Sequence, residues 1–323
     1  MKEPYLEKTT HQFIKSLSEG NNTPLYELSP QQARDVLLSV QSANLQKYPT
    51  TVQEIEVPLV SNRIMRTQII YPPQTSSPLP VIFYIHGGGW VMGNETTHQR
   101  LIHELTLKTP AIVIFPIYSP SPETQYPQTH QDIYSVFQYL LQNSNKYNLD
   151  FNNLCIAGDS VGGNMATVIS LIAKNNHHIP KIKFQLLLYP VTDAKFDTVS
   201  YQKFADGPWL TKKAMQWFWQ QYAPNTDSRQ EIYASPLLAT PEDLQGMPPT
   251  LIITDENDVL RDEGEEFARK LDNAGVEVYN IRINQTIHDF MMLDALADSR
   301  PTQIAMDITI KYLQKFLYYH SPS

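Results

Sequence analysis

The chain has 323 residues, with 25 Lys and Arg against 33 Asp and Glu, a formal charge of −8 with His neutral. Hydrophobic residues at 41% and charged residues at 18% describe an ordinary globular protein, which excludes disorder as the main state. The acidic balance, without any Lys/Arg-rich run, excludes nucleic acid and an anionic membrane surface as chief partners.

In chain order, residues 1–20 lack the apolar stretch and small-residue cleavage site of a signal peptide. No window holds ~18 uninterrupted apolar residues, so a cytoplasmic protein without stable membrane anchoring is expected. The first 45 or so residues read as helical. Ser29-Pro30 supplies an N-cap with Pro at the first helical position, and Val36, Leu37 and Val40 form an apolar stripe. From Val52 to Tyr71 the pattern turns to short β runs, Ile55–Val57 and Ile69–Tyr71, and Pro72 to Pro80 is a Pro/Ser-rich connection. Buried, parallel-type strands follow at Val81–Ile85, Ala111–Ile117, Leu154–Ala157, Phe184–Tyr189 and Thr250–Thr254, and a last alternating run covers Val276 to Ile283. The single cysteine, Cys155, cannot form an internal disulfide and reads as a small buried hydrophobe on one of these strands.

Helical spacing separates the strands: Ile133, Val136, Phe137, Leu140 and Leu141 share one face, and so do Met165, Val168, Ile169 and Ile172. Phe267 and Leu271 follow an acidic helix start, and Gly275 stands where a glycine ends such a helix. Strands alternating with helices predict an α/β fold with a mostly parallel sheet covered on both faces. Phe204–Ala223 interrupts the rhythm, and Met215, Phe218, Trp219 and Tyr222 in it suit either a core helix or a lid over a pocket.

Glycine points to function. Of only 12 in the chain, Gly87, Gly88, Gly89, Gly158, Gly162 and Gly163 fall in two short clusters. Gly158-Asp159-Ser160-Val161-Gly162 matches G-x-S-x-G directly after a strand and before a helical run, the context in which a strained turn lifts a serine Oγ above a sheet. Ser160 is the candidate nucleophile. His86-Gly87-Gly88-Gly89-Trp90 follows strand Val81–Ile85, where glycines let backbone N–H groups approach an oxyanion. The expected donors are the N–H groups of Gly88, Gly89 and Val161. His86, just before the glycines, reads as a residue that holds the loop.

HGGGW, YSPSPETQYP, GDSVGGN, Tyr189-Pro190, YASPLLA, DENDVLRDEG and IHDF resemble, in that order, the hormone-sensitive-lipase-like esterases of the α/β-hydrolase superfamily (the bacterial family IV type). The likeness runs from about Val81 to Phe290. It implies an α/β-hydrolase fold with an eight-stranded, mostly parallel sheet and a helical cap. The cap would draw on N-terminal helices in residues 1–50 and an insertion at 204–223, with the core at 51–203 and 224–323.

The triad order of this fold is Ser, acid, His. Four histidines follow Ser160: His177 and His178 in a polar loop, His320 near the end of the chain, and His288 just after the last strand. His288 is the best general base. Asp255, Glu256 and Asp258 all follow strand Thr250–Thr254, and the resemblance to DENDVLRDEG selects Asp258, with Asp255 and Glu256 ordering the loop and Asp193 as a distant runner-up. The expected chemistry is two-step acyl transfer on a small-molecule ester through a covalent acyl-enzyme, with no metal or organic cofactor. Amide hydrolysis with the same triad is the alternative, and a non-catalytic ligand receptor is a weaker one.

Three positions depart from the family pattern. Val161 stands where Ala is common and its branched side chain is expected to crowd the pocket. Ser119 stands where an Arg usually follows the Tyr, so an ion pair there is expected to be missing. Asp289 replaces the Gly after the histidine, and its carboxylate is expected to favour protonated His288 and disfavour anionic substrates. Trp90, Trp209 and Phe290 are candidate lining residues of an acyl pocket. The resemblance implies acyl chains up to about eight carbons, and a homodimer through the sheet edge is compatible with it.

Overall fold

The computed structural model describes residues 4–19, 23–41, 47–73 and 77–318. Two helices open it, α1 (Lys8–Ser18) and α2 (Pro30–Gln41), followed by β1 (Thr51–Pro58), β2 (Ile64–Tyr71) and β3 (Leu79–Ile85). Then come α3 (Gln99–Lys108), β4 (Ile112–Pro116), α4 (Gln128–Gln142), β5 (Leu149–Asp159), α5 (Val161–Lys174) and β6 (Phe184–Leu188). Short α6 (Val199–Lys203), α7 (Lys212–Tyr222) and short α8 (Pro241–Leu244) precede β7 (Thr250–Asn257), α9 (Arg261–Asn273), β8 (Val278–Ile287) and α10 (Arg300–Tyr318).

The eight strands form one sheet in the order β1-β2-β4-β3-β5-β6-β7-β8. β2 pairs antiparallel with both β1 and β4, and every other pair is parallel. The expected mostly parallel sheet is therefore present, with β2 alone running against the rest. β4 and β6 are buried at every position, which is why they read as unbroken apolar runs: helices lie over both their faces. Cys155 is fully buried in β5, as its apolar neighbours predict, and burial pushes its thiol up.

The chain order reverses at β3. β4 lies on one side of it and β5 on the other, so loops leaving β3 and β5 meet over the sheet's carboxyl edge at a topological switch point. The register Ile85↔Gly158 sets those two exits side by side. The register Asn257↔Ile287 does the same for the exits of β7 and β8.

Two strands extend past their apolar runs. β5 starts at Leu149 and β8 continues to Ile287. β8 is the last strand of the sheet, and its pairing with β7 breaks register between Asp255↔Ile283 and Asn257↔Ile287, so Asn284, Gln285 and Thr286 bulge out of the ladder and carry no apolar pattern to announce the strand.

The N-terminal helices are fastened to the core by specific polar contacts. Glu7 caps α1 by accepting from the N–H groups of Thr9 and Thr10, and Ser29 and Gln32 cap α2 reciprocally. At the far end of α2, buried Gln41 donates to the carbonyls of Thr97 and Met292 and accepts from the Asp294 N–H. Arg34 donates bidentately to Glu123 at 2.9 and 2.6 Å and also to the Val91 and Ser121 carbonyls. Ser119 is exposed, and it is Arg34 that brings an ion pair to this loop from another part of the chain.

Segment 204–223 contains α7 and the stretch leading into it. Thr211 caps α7 through the Ala214 N–H. Tyr222 of α7 stacks on Trp90 at 4.0 Å and Trp219 meets the same indole at 4.8 Å, while Ala214, Met215 and Phe218 line a cavity. Among the described residues, no helix is long and apolar enough to cross a membrane.

Candidate active site

Ser160 lies between β5 and α5 with φ 54° and ψ −122°, a conformation that L-residues rarely adopt. Packing holds it there. The Ser160 N–H donates to the Leu188 carbonyl and its own carbonyl accepts from Val191 N–H, so β6 braces the turn. The flanking glycines are required by contact: a Cβ on Gly162 would overlap the Ile85 carbonyl oxygen, and one on Gly158 would overlap Gly162 itself.

His288 follows β8 directly and Asp258 follows β7. His288 Nε2 lies 2.9 Å from Ser160 Oγ, and His288 Nδ1 lies 2.8 Å from Asp258 Oδ2. With the proton on Nδ1, His288 donates to Asp258 and accepts from the serine hydroxyl. Asp258 Oδ1 also accepts from the Leu260 N–H at 3.0 Å. All three side chains are at most 4% exposed. The Tyr189 ring packs edge-on against the imidazole at 4.9 Å.

Burial by itself lowers the proton affinity of His288, but the negative charges of Asp258 and Asp289 outweigh it and raise the pKa to about 9. Asp289 Oδ1 lies 3.4 Å from Nε2, on the serine side of the ring, and its Oδ2 accepts from Trp209 Nε1 at 2.8 Å. His86 shows the opposite case. Fully buried, without a facing carboxylate close enough to compensate, it is pushed down to about 3 and stays neutral. It stacks on Tyr118 at 4.1 Å, which fits a part in holding the glycine loop.

Gly88 and Gly89 border the same cavity as Ser160, His288 and Asp289. Their loop is anchored from beneath by Asp159, the residue before the nucleophile. Its Oδ1 accepts from Gly87 N–H at 2.9 Å and from the Tyr84 hydroxyl at 2.8 Å, and its Oδ2 lies 3.2 Å from His98 Nε2. Burial raises this carboxyl's pKa, yet the His98, Tyr84 and His86 contacts prevail and hold it below the usual range. The variable second position of G-x-S-x-G carried no signal of this role, because its three partners lie 61–75 residues away. Val161 begins α5, where the first N–H groups have no partner within the helix.

The cavity measures about 730 Å³. Its floor holds Ser160, Gly88 and Gly89, and its walls come from Leu17, Leu25, Val36 and Leu37 on one side and Trp209, Leu210 and Phe218 on the other. Trp209 thus lines the cavity as expected. Trp90 and Phe290 do not: both are fully buried, Trp90 between Trp219 and Tyr222, and Phe290 beneath Tyr189. Aromatic neighbours from distant elements claimed those two faces. Val161 is fully buried as well, so its branched side chain packs inward and does not crowd the cavity.

Of the remaining acids, Glu256 accepts from the Gln285 N–H, and Asp193 lies beside Lys195, outside the triad. Asp255 does not order the loop; it sits 3.9 Å from His288 Nδ1. Among the described residues, Asp255, Asp258 and His288 are the one group of His and carboxylates with atoms close enough for a cation, and they coincide with the triad.

The family profile of the alpha/beta hydrolase fold matches residues 82–292. The crystal structure of a thermostable esterase from Pseudomonas putida ECU1011 superposes with a TM-score of 0.95 at 41% identity, covering 99% of this chain and 100% of that one. An esterase of Gibberella moniliformis is 36% identical over 74% of this chain and 75% of its own. An ethyl acetate hydrolase of Pseudomonas putida is 28% identical over 93% of this chain and 94% of its own.

Proposed function

The chain belongs to the α/β-hydrolase family and is a carboxylic ester hydrolase, and from that premise we propose that it cleaves short- to medium-chain acyl esters through Ser160, His288 and Asp258. The observation that carries the assignment of roles is the unbroken relay from Asp258 Oδ2 through His288 to Ser160 Oγ, at 2.8 and 2.9 Å. The motif order and the wall formed by α1, α2 and the 204–223 segment support the hormone-sensitive-lipase-like branch and a cap built from those segments.

In this reading, His288 Nε2 takes the hydroxyl proton as Ser160 Oγ attacks the ester carbonyl. The developing oxyanion is met by the N–H groups of Gly88, Gly89 and Val161, the last at the positive end of α5. Protonated His288 then delivers its proton to the leaving alkoxide. Asp258 stabilises the imidazolium and fixes its tautomer without being protonated. Water repeats the sequence on the acyl-enzyme and releases the acid.

A cavity of about 730 Å³ falls in the range that encloses small ligands, which supports a small-molecule ester. Hydrolysis of p-nitrophenyl esters of rising acyl length tests this, with Ser160→Ala as the control. Rates are expected to be highest for chains of about two to eight carbons and to vanish in the control; long-chain preference, or full activity in the control, would refute the reading.

The raised pKa of His288 sets the pH dependence. Only the unprotonated ring can act as base, so kcat/KM is expected to climb from neutral pH with its midpoint near pH 9 and to level off only above it. Stability moves the other way: a folded pKa above the ordinary 6.5 stabilises the fold below that pH, and the contribution fades as pH rises through about 9. Asp289→Asn removes one of the three raising charges, leaving those of Asp258 and Asp159, and keeps an acceptor for Trp209. It should shift the midpoint toward neutrality by about one unit. An unmoved pH–rate profile would show that Asp289 does not govern His288.

A further inference from the structure

The triad reading leaves one buried carboxyl without a task. Asp255, near the end of β7, is 0% exposed, and neither of its oxygens receives a hydrogen bond from an N–H or hydroxyl donor. Its Oδ2 lies 3.9 Å from His288 Nδ1, its ligand atoms lie within 4.8 Å of those of Asp258, and the two carboxyl groups are close enough to hydrogen-bond each other. Adjacent Glu256, by contrast, spends its carboxylate on the Gln285 N–H.

An ionised carboxylate in this position would be buried without a donor and beside a second negative charge, and each condition alone is costly. Two close carboxyls in a dry site hold one proton between them. Asp258 keeps its charge, because it accepts from His288 Nδ1 and the Leu260 N–H, so the proton belongs to Asp255. Burial first, then the charge of Asp258, pushes the Asp255 carboxyl well above the usual range.

We propose that Asp255 is a neutral carboxylic acid that donates its proton to the Asp258 carboxylate and acts as a positioning residue that tempers the hold of Asp258 on His288. The inference rests on the triad reading above. Asp258 has room for a third donor, since a carboxylate offers about four lone-pair sites and two are engaged. The donated hydrogen bond drains charge from Asp258 and so lowers the proton affinity of His288. The groups facing this cluster are Asp258 beyond β7, His288 and Asp289 beyond β8, Tyr189 beyond β6, Asp159 at the end of β5, Tyr201 of α6 and Glu263 of α9. None of the others is an O–H donor hydrogen-bonded to Asp258.

Two substitutions separate donation from packing. Asp255→Val removes the donor, and the kcat/KM midpoint should rise by about one unit, with roughly tenfold lower kcat/KM at pH 7. Asp255→Asn supplies an amide N–H in place of the acid proton and should keep the wild-type midpoint. A midpoint lowered in Asp255→Asn would mean that Asp255 is ionised, and a midpoint unmoved in both variants would mean that it only fills space; either overturns the proposal. Infrared difference spectra of wild type against Asp255→Asn at pH 8 give a second reading, independent of how the Val variant folds. A protonated-carboxyl C=O band lost in the variant supports the proposal, and its absence from the difference overturns it. If Ser160→Ala retained full activity, the triad reading would fail on its own while the infrared band still reported the Asp255 proton.

Discussion

Ser160→Ala and His288→Ala are each expected to lower kcat by about 10⁴–10⁶, and the double variant is expected to be no worse than either alone. The geometry requires this non-additivity. Ser160 Oγ reaches its reactive form only by giving its proton to His288 Nε2, 2.9 Å away, and the later tasks of that nitrogen, protonating the leaving alkoxide and activating water, arise only after Ser160 has attacked. Removing either partner therefore ends the same step, and what remains is catalysis by the oxyanion donors and binding. Asp258→Asn should cost somewhat less, about 10⁴, since it spoils the tautomer and leaves nucleophile and base in place. Steady-state rates for all four variants on one short-chain ester check the cycle. Multiplicative losses in the double variant would mean that the two residues act independently, and the relay would be wrong.

Asp159→Ala is expected to destabilise the fold by about 3–5 kcal/mol and to lower kcat as well. The carboxylate is wholly buried and serves Tyr84, Gly87 and His98 at once. Its removal strands three buried polar groups, on Tyr84 of β3 and on Gly87 and His98 of the loop that follows, and leaving each unpaired costs about 1–3 kcal/mol. Gly87 directly precedes the two glycines proposed to meet the oxyanion, so a loosened loop should cost about 10²–10³ in kcat with a smaller change in KM. Asp159→Asn, which keeps an oxygen for Gly87 and Tyr84, should recover most of the stability. Denaturant unfolding beside kcat and KM for both variants tests this. Wild-type stability in Asp159→Ala would show that the cluster does not hold the loop. The sign with pH is also set: a carboxyl held below its ordinary pKa stabilises at neutral pH, and that stability is lost as the solution is acidified through the folded value.

The chain's local chemistry, read as sequence alone, determined which elements form and which residue types can react. Parallel strands buried on both faces need unbroken apolar runs, so β3, β4, β6 and β7 were legible from one-dimensional pattern. Ser160 and the Gly87–Gly89 loop were legible because a strained turn and a close backbone approach admit few residue types. What the tertiary structure alone decided is everything set by register and by packing between distant segments. The pairing Asn257↔Ile287 brings Asp258 to His288, and the reversal of strand order at β3 brings Gly88 to Ser160. Nothing local distinguishes Trp209, which lines the cavity, from Trp90, which Tyr222 and Trp219 enclose. The same holds for carboxylates: Asp159, Asp255, Asp258 and Asp289 are one residue type with four environments. Their charge depends on which donors and neighbouring charges the fold places within a few ångströms, and sequence spacing does not encode that distance.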